Sequence, residues 1–233
     1  MKEHIPNTIT ALNLVFGCFS MIDALQGNLT QASLWIGGAA VLDFFDGFVA
    51  RMLKVGSELG KQLDSLADVV SFGVAPGMIF YAMSGQCFGE GFCINKFLPF
   101  LIPAFSAVRL AKFNIDTRQS DSFIGLPTPA NAMFIASLPF IVQYDSLGLG
   151  WVIEHRFFLI LFPLLSAYLL VAELPLLALK FKHFGWRGNE FRYLLILISI
   201  LSVLFFQYLG VALAIVFYIL LSVLQQIIQP KKI

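Results

Sequence analysis

Long apolar runs alternate with short polar breaks along the whole chain, and their pattern predicts eight helices. These fall near residues 8–26, 30–53, 61–84, 97–115, 129–144, 156–179, 192–207 and 209–228. A hydrocarbon core needs about 20 apolar residues for each helical crossing, so these runs read as membrane spans. The last two are separated only by a turn around Tyr208–Gly210. Residues 1–13 read as a short interfacial segment that feeds the first span. Pro6 and Asn7 stand at the helix start there, and Thr10 and Asn13 follow at helical spacing.

Composition sharpens this to an all-α, polytopic transmembrane bundle forming a single domain over residues 1–233. Of 233 residues, 58% are hydrophobic and 12% charged, where a soluble domain carries roughly 25% charged residues. The opening "MKEHIPNTITALN" is polar and carries a proline, so no cleavable signal peptide is expected. The net charge of +1 and the absence of a basic tail give no support for a nucleic-acid partner.

The positive charges fix a direction. With both ends of the chain cytoplasmic, thirteen of the fifteen Lys and Arg residues face inward, among them Arg51, Lys54, Lys61, Arg109 and Lys112. Only Lys96 and Arg156 face outward. Cytoplasmic loops are enriched in Lys and Arg, so this orientation is expected, in the inner membrane with its polar cleft toward the cytoplasm.

Against this apolar background, the stretch "DFFDGFVARMLKVGSELGKQLDSLADVVSFG" holds four carboxylates: Asp43, Asp46, Asp64 and Asp68. One charge at mid-bilayer costs about 2.5–3.5 kcal/mol on insertion scales, so the acids require compensation. A helix advances about 100° per residue. With Asp43 at 0°, Asp46 falls at about −60°, Gly47 at about +40° and Ala50 at about −20°, all on one face. Gly60, Asp64 and Asp68 share a face of the next span in the same way. A short loop makes the two spans antiparallel neighbours, so the acid pairs meet at similar depth near the cytoplasmic ends. Hard divalent cations prefer such oxygen ligands, and two Mg²⁺ or Mn²⁺ ions would balance four carboxylates. The plainer alternative is individual pairing with Arg51, Lys54, Lys61 or Arg109. Gly47, Ala50 and Gly60 add no bulk on that face, which suits either ligand approach or close helix packing.

The spacing Asp43-x2-Asp46-Gly47-x2-Ala50-Arg51-x8-Gly60-x3-Asp64-x3-Asp68 resembles the signature of the CDP-alcohol phosphotransferase family of membrane enzymes. The flanking stretches "IPNTITALN", "DSLADVVSFGVAPG", "AVRLAKFN" and "FIGLPTPANA" resemble its serine-accepting, integral-membrane branch. The resemblance implies a six-helix core over residues 1–184, with two further helices in 185–233. It also implies transfer of the phosphatidyl group of CDP-diacylglycerol to L-serine within membrane lipid, release of CMP, and a homodimer.

Carried onto this sequence, the four aspartates match metal ligands. Asp64 and Asp68 are expected to be catalytic, with Asp68 as general base. Gly47, Ala50 and Gly60 match positions lining the nucleotide. Asn7, Thr10, Asp46, Arg51 and Lys61 are further nucleotide or phosphate candidates, although Arg51 would serve equally as a snorkelling anchor. A serine carboxylate suits a guanidinium, which points to Arg109, with Asn114, Thr128 and Asn131 nearby; an ordinary inward-facing charge is the alternative for Arg109. Glu173, expected in the sixth span, would bind an ammonium or hydrogen-bond Arg109.

Cys87 and Cys93 share the outer loop "SGQCFGEGFCINK", where a disulfide is possible in an oxidising compartment. Two rival functions stay open at this point. One is the same transfer to glycerol 3-phosphate or inositol, and the other is a divalent-cation transporter.

Overall fold

The structure, a computed structural model, describes residues 4–88, 93–115, 123–145, 147–177, 185–186 and 188–228. Helix α1 spans His4–Leu25 and α2 spans Leu29–Leu53. Helix α3 (Glu58–Asp68) continues through a π-helical segment, Val69–Val74, into α4 (Ala75–Met83). Next come α5 (Ile94–Phe97), a 3₁₀ turn (Leu98–Phe100) and α6 (Leu101–Ile115). Then follow α7 (Thr128–Tyr144), the short α8 (Gly150–Glu154), α9 (Arg156–Val171) and α10 (Glu190–Ile228).

Among the described residues, five helical rods are long and apolar enough to cross a membrane, and α9 is a shorter apolar helix beside them. Large apolar side chains cover the outside, with Phe205 76% and Leu204 70% exposed. A surface of this kind suits lipid rather than water. The protein is a multi-pass helical bundle.

Three expected boundaries change, and one element is new. Residues 4–13 are not a separate interfacial segment, because α1 runs unbroken from His4. Pro6 is tolerated there since a first-turn N–H has no intrahelical partner anyway. The sixth span stops at Val171 rather than 179, where Ala172 turns extended. Pro175, three residues on, disfavours helical geometry at Leu174, so the helix does not resume there. The final break falls at Gln207, whose φ of 49° interrupts α10. A Cβ on Gly210 would collide with the Ser202 backbone, so the two halves of α10 fold back tightly on each other. Finally, Phe123–Ile124 (β1) and Pro175–Leu176 (β2) pair antiparallel, a small element that the apolar pattern did not predict.

The core positions the site. Helix α7 carries the buried Ala132, Ile135 and Leu138, which pack with Ile36, Phe72 and Ile79 from α2, the π segment and α4. Alpha1 touches the π segment so closely that a Cβ on Gly17 would lie 2.6 Å from Ser71 Oγ. Ser71 in turn donates to the Asn13 carbonyl at 2.9 Å. Single π turns inside helices often mark functional sites. Here the extra residue resets the helix face directly after Asp68. The acids then look toward α2, while Gly73 and Gly77 pack on Ser106 and Pro103 of α6.

Candidate active site

Helices α1, α2 and α3 build the site from three short polar faces. On α1, Asn7, Thr10 and Asn13 recur every third residue and so share one side. Thr10 Oγ1 donates to Asp46 Oδ2 at 2.7 Å and lies against the Pro6 carbonyl at 3.1 Å. On α2 the opposite face is aromatic, with Phe44, Phe45 and Phe48 exposed, so the acids Asp43 and Asp46 turn inward. Helix α3 is started by Ser57, whose hydroxyl accepts from the Gly60 N–H at 3.0 Å, a helix N-cap. That cap fixes the rotation that brings Asp64 and Asp68 toward α2.

Carboxylate oxygens of Asp43, Asp64 and Asp68 all lie within 4.8 Å of one another. Asp46 stands beside this trio, held by Thr10, instead of within it. The four acids therefore converge as the helix faces predicted, but in a three-plus-one arrangement. Oxygen Oδ1 of Asp68 is shielded and has no hydrogen-bond partner. Three like charges this close repel unless protons or a cation intervene. An all-oxygen donor set with an unspent carboxylate oxygen fits a hard divalent cation. The expected family dependence on a divalent metal is thus matched by an acidic group able to hold one. Two of the four cations expected as alternative partners make other bonds: Lys61 Nζ donates to the Asn114 carbonyl at 3.3 Å and Arg109 Nη1 to Thr128 Oγ1 at 2.8 Å.

Next to the acids is a cleft of about 270 Å³. Its walls include Asn7, Thr10, Asp46, Gly47, Ala50, Gly60, Lys61 and Asp64. Every nucleotide candidate from the sequence except Arg51 lines it. Arg51 is exposed and reaches across the adjoining face, its Nη1 3.5 Å from where a Gly47 Cβ would stand. A Cβ on Gly60 would come within 3.0 Å of Asn7 Oδ1 and 3.2 Å of Ser57 Oγ. Glycine there keeps the cleft open. Sequence reasoning missed Pro6, Val55, Gly56 and Ser57, which also line the cleft. A serine directly before a predicted helix is an N-cap signal, so Ser57 was findable.

A second polar corner lies between α6 and α7. Arg109 is only 7% exposed and Thr128 and Asn131 are buried with it. Asn131 Oδ1 accepts from Ser166 Oγ of α9 at 2.9 Å. Asn114, expected in this group, instead donates to Ser65 Oγ at 2.8 Å and ties α6 to α3. Glu173 is corrected: it lies past the end of α9 and is exposed, not inside a span. At the other end of the bundle, Cys87 and Cys93 are joined in a disulfide.

Comparison with known proteins converges on one family. The model for CDP-alcohol phosphatidyltransferase matches residues 3–179. A CDP-diacylglycerol–serine O-phosphatidyltransferase of Helicobacter pylori strain J99 is 42% identical over 132 residues, 56% of this chain and 54% of the relative. The enzyme of the same name from Bacillus subtilis strain 168 is 35% identical over 155 residues, 64% of this chain and 82% of the relative. An archaetidylserine synthase of Methanothermobacter thermautotrophicus is 33% identical over 152 residues, 64% of this chain and 63% of the relative. The chain thus spans about half the length of the Helicobacter relative and most of the Bacillus one.

Proposed function

This chain belongs to the CDP-alcohol phosphatidyltransferase family, and from that footing we propose that it transfers the phosphatidyl group of CDP-diacylglycerol to L-serine. The products are phosphatidylserine and CMP. The observation that carries the reading is the shared wall: Asp64 belongs both to the carboxylate trio and to the cleft lined by the nucleotide candidates. Phosphates of a nucleotide lodged in the cleft therefore sit beside the acids.

Asp43, Asp64 and Asp68, with Asp46 alongside, would hold two divalent cations, Mg²⁺ or Mn²⁺. Bound there, they would neutralise pyrophosphate charge and stabilise the departing CMP. The chain's own groups do the rest. Asn7, Gly47, Ala50 and Gly60 shape the nucleotide cleft, and Lys61 and Arg51 stand at its rim for phosphate. Arg109, with Thr128, orients the serine through its carboxylate. The serine hydroxyl oxygen forms the new bond to phosphorus, the bond from phosphorus to the CMP oxygen breaks, and the hydroxyl proton passes to the Asp68 carboxylate.

Purified protein given CDP-diacylglycerol and labelled L-serine is expected to form labelled phosphatidylserine with one CMP per lipid. Product from glycerol 3-phosphate or inositol, with none from serine, overturns the acceptor assignment. Cation flux without CMP release would make the acids a transport site.

The proposal places the site on the cytoplasmic side of the inner membrane. Arg51, Lys54, Lys61, Arg109 and Lys112 cluster at the end of the bundle that holds the acids, and the Cys87–Cys93 disulfide sits at the other. Disulfides persist in oxidising compartments, which agrees with the direction set by the charges. A cysteine at Glu58 should escape an impermeant thiol probe applied outside, whereas one at Asn28 should react. Labelling of the Glu58 position from outside would invert the orientation. The homodimer in this proposal comes from the family resemblance.

A further inference from the structure

We infer that Ser106 and Asn131 join Arg109 in a buried site for one carboxylate, the α-carboxylate of the acceptor amino acid. The inference rests on the serine reading above and deepens it.

Three hydrogen-bond donors in this corner have no acceptor: Ser106 Oγ, Arg109 Nε and Asn131 Nδ2. Their residues are 0%, 7% and 1% exposed, so bulk water does not serve them. Buried polar groups are nearly always partnered, and exceptions at this density ask for an explanation. A helical serine usually turns its hydroxyl back onto the preceding turn, and Ser106 does not.

The three donors belong together by helix register. Arg109 Nη1 bonds Thr128 Oγ1 at 2.8 Å, which sets Arg109 of α6 level with Thr128 of α7. As successive crossings, the two helices run in opposite directions. One turn back along α6 leads to Ser106, and one turn forward along α7 leads to Asn131. These two therefore share the next layer of the corner. The Asn131 amide is oriented by Ser166, whose hydroxyl occupies Oδ1 and leaves Nδ2 free to donate.

The chemistry selects the ligand. Unspent donors and one guanidinium charge call for an acceptor bearing a single negative charge. A carboxylate supplies two oxygens and neutralises the arginine. A phosphate dianion would leave excess charge buried, and a neutral polyol would give Arg109 Nε no charged acceptor. The corner also adjoins the proposed base. A Cβ on Gly73, five residues beyond Asp68, would lie 3.1 Å from Ser106 Cβ. Such close packing keeps the acceptor small.

The test compares L-serine with serinol, in which a hydroxymethyl group replaces the carboxylate. In Ser106→Ala the serine KM should rise about five- to twentyfold, with the KM for CDP-diacylglycerol unchanged. Serinol's inhibition constant against serine transfer should stay within about twofold of wild type. Ser106→Cys, nearly isosteric but a weak donor, should fall between the two and provides the same comparison if the alanine variant folds poorly. Equal weakening of serine and serinol, or an unchanged serine KM, overturns the inference and leaves a structural hydroxyl. A wild-type protein that uses no serine at all defeats the serine reading itself, a result distinct from either of these.

Discussion

Exchanging Asp64 for asparagine should lower phosphatidyl transfer by about three orders of magnitude while the protein remains folded. Asparagine keeps the size of the side chain and removes one negative ligand from the trio with Asp43 and Asp68. A site of this kind contributes several kcal/mol of transition-state charge stabilisation, and about 4 kcal/mol corresponds to a thousandfold in rate. Stability supplies the independent readout. Without metal, removing one of three crowded negative charges relieves repulsion, so the melting temperature should hold or rise. Added Mg²⁺ or Mn²⁺ should raise the melting temperature of the wild type, because a ligand that binds only the folded state stabilises it. The Asp64→Asn variant should lose that increment. Undiminished serine transfer by wild-type protein in EDTA would refute the metal-holding role of the acids.

The aspartates were legible because a helix turns by a fixed angle. Four acids and three small residues at set spacings had to share two facing stripes, whatever the rest of the chain did. Their finer arrangement was not legible, since it depends on Thr10 drawing Asp46 aside, a contact between residues 36 apart in sequence. The π segment after Asp68 escaped for a similar reason. It packs where Gly17 closely approaches Ser71, a tertiary contact that no local pattern announces. Hydropathy gave the order of the rods but ran the sixth past its end, because apolar residues continue beyond Val171 after the backbone has left the helix. The Phe123–Ile124 and Pro175–Leu176 pair is too short for a period to register. Ser106 went unnoticed as well, since a lone serine in an apolar helix carries no signal until its lack of a partner is seen.

Arg109→Lys should raise the serine KM by about ten- to a hundredfold and leave the affinity for CDP-diacylglycerol nearly unchanged. Lysine keeps the charge but not the planar fork. In this structure the fork spans two tasks, with Nη1 spent on Thr128 and Nε left without a partner. A compact ammonium has three N–H donors but not the fixed spacing that lets the guanidinium hold Thr128 with Nη1 while Nε is aimed at a carboxylate. Losing a charge-assisted hydrogen bond costs about 1.5–3 kcal/mol, which sets the expected range. Gly60→Leu supplies the reciprocal case. Its side chain would grow from a point already 3.0 Å from Asn7 Oδ1 and fill the cleft, so the KM for CDP-diacylglycerol should rise while serine recognition persists. The two variants thus separate the two ends of the site. If Arg109→Lys weakened nucleotide binding and spared the serine KM, the guanidinium would belong to the phosphates, and the α6–α7 corner would need another ligand.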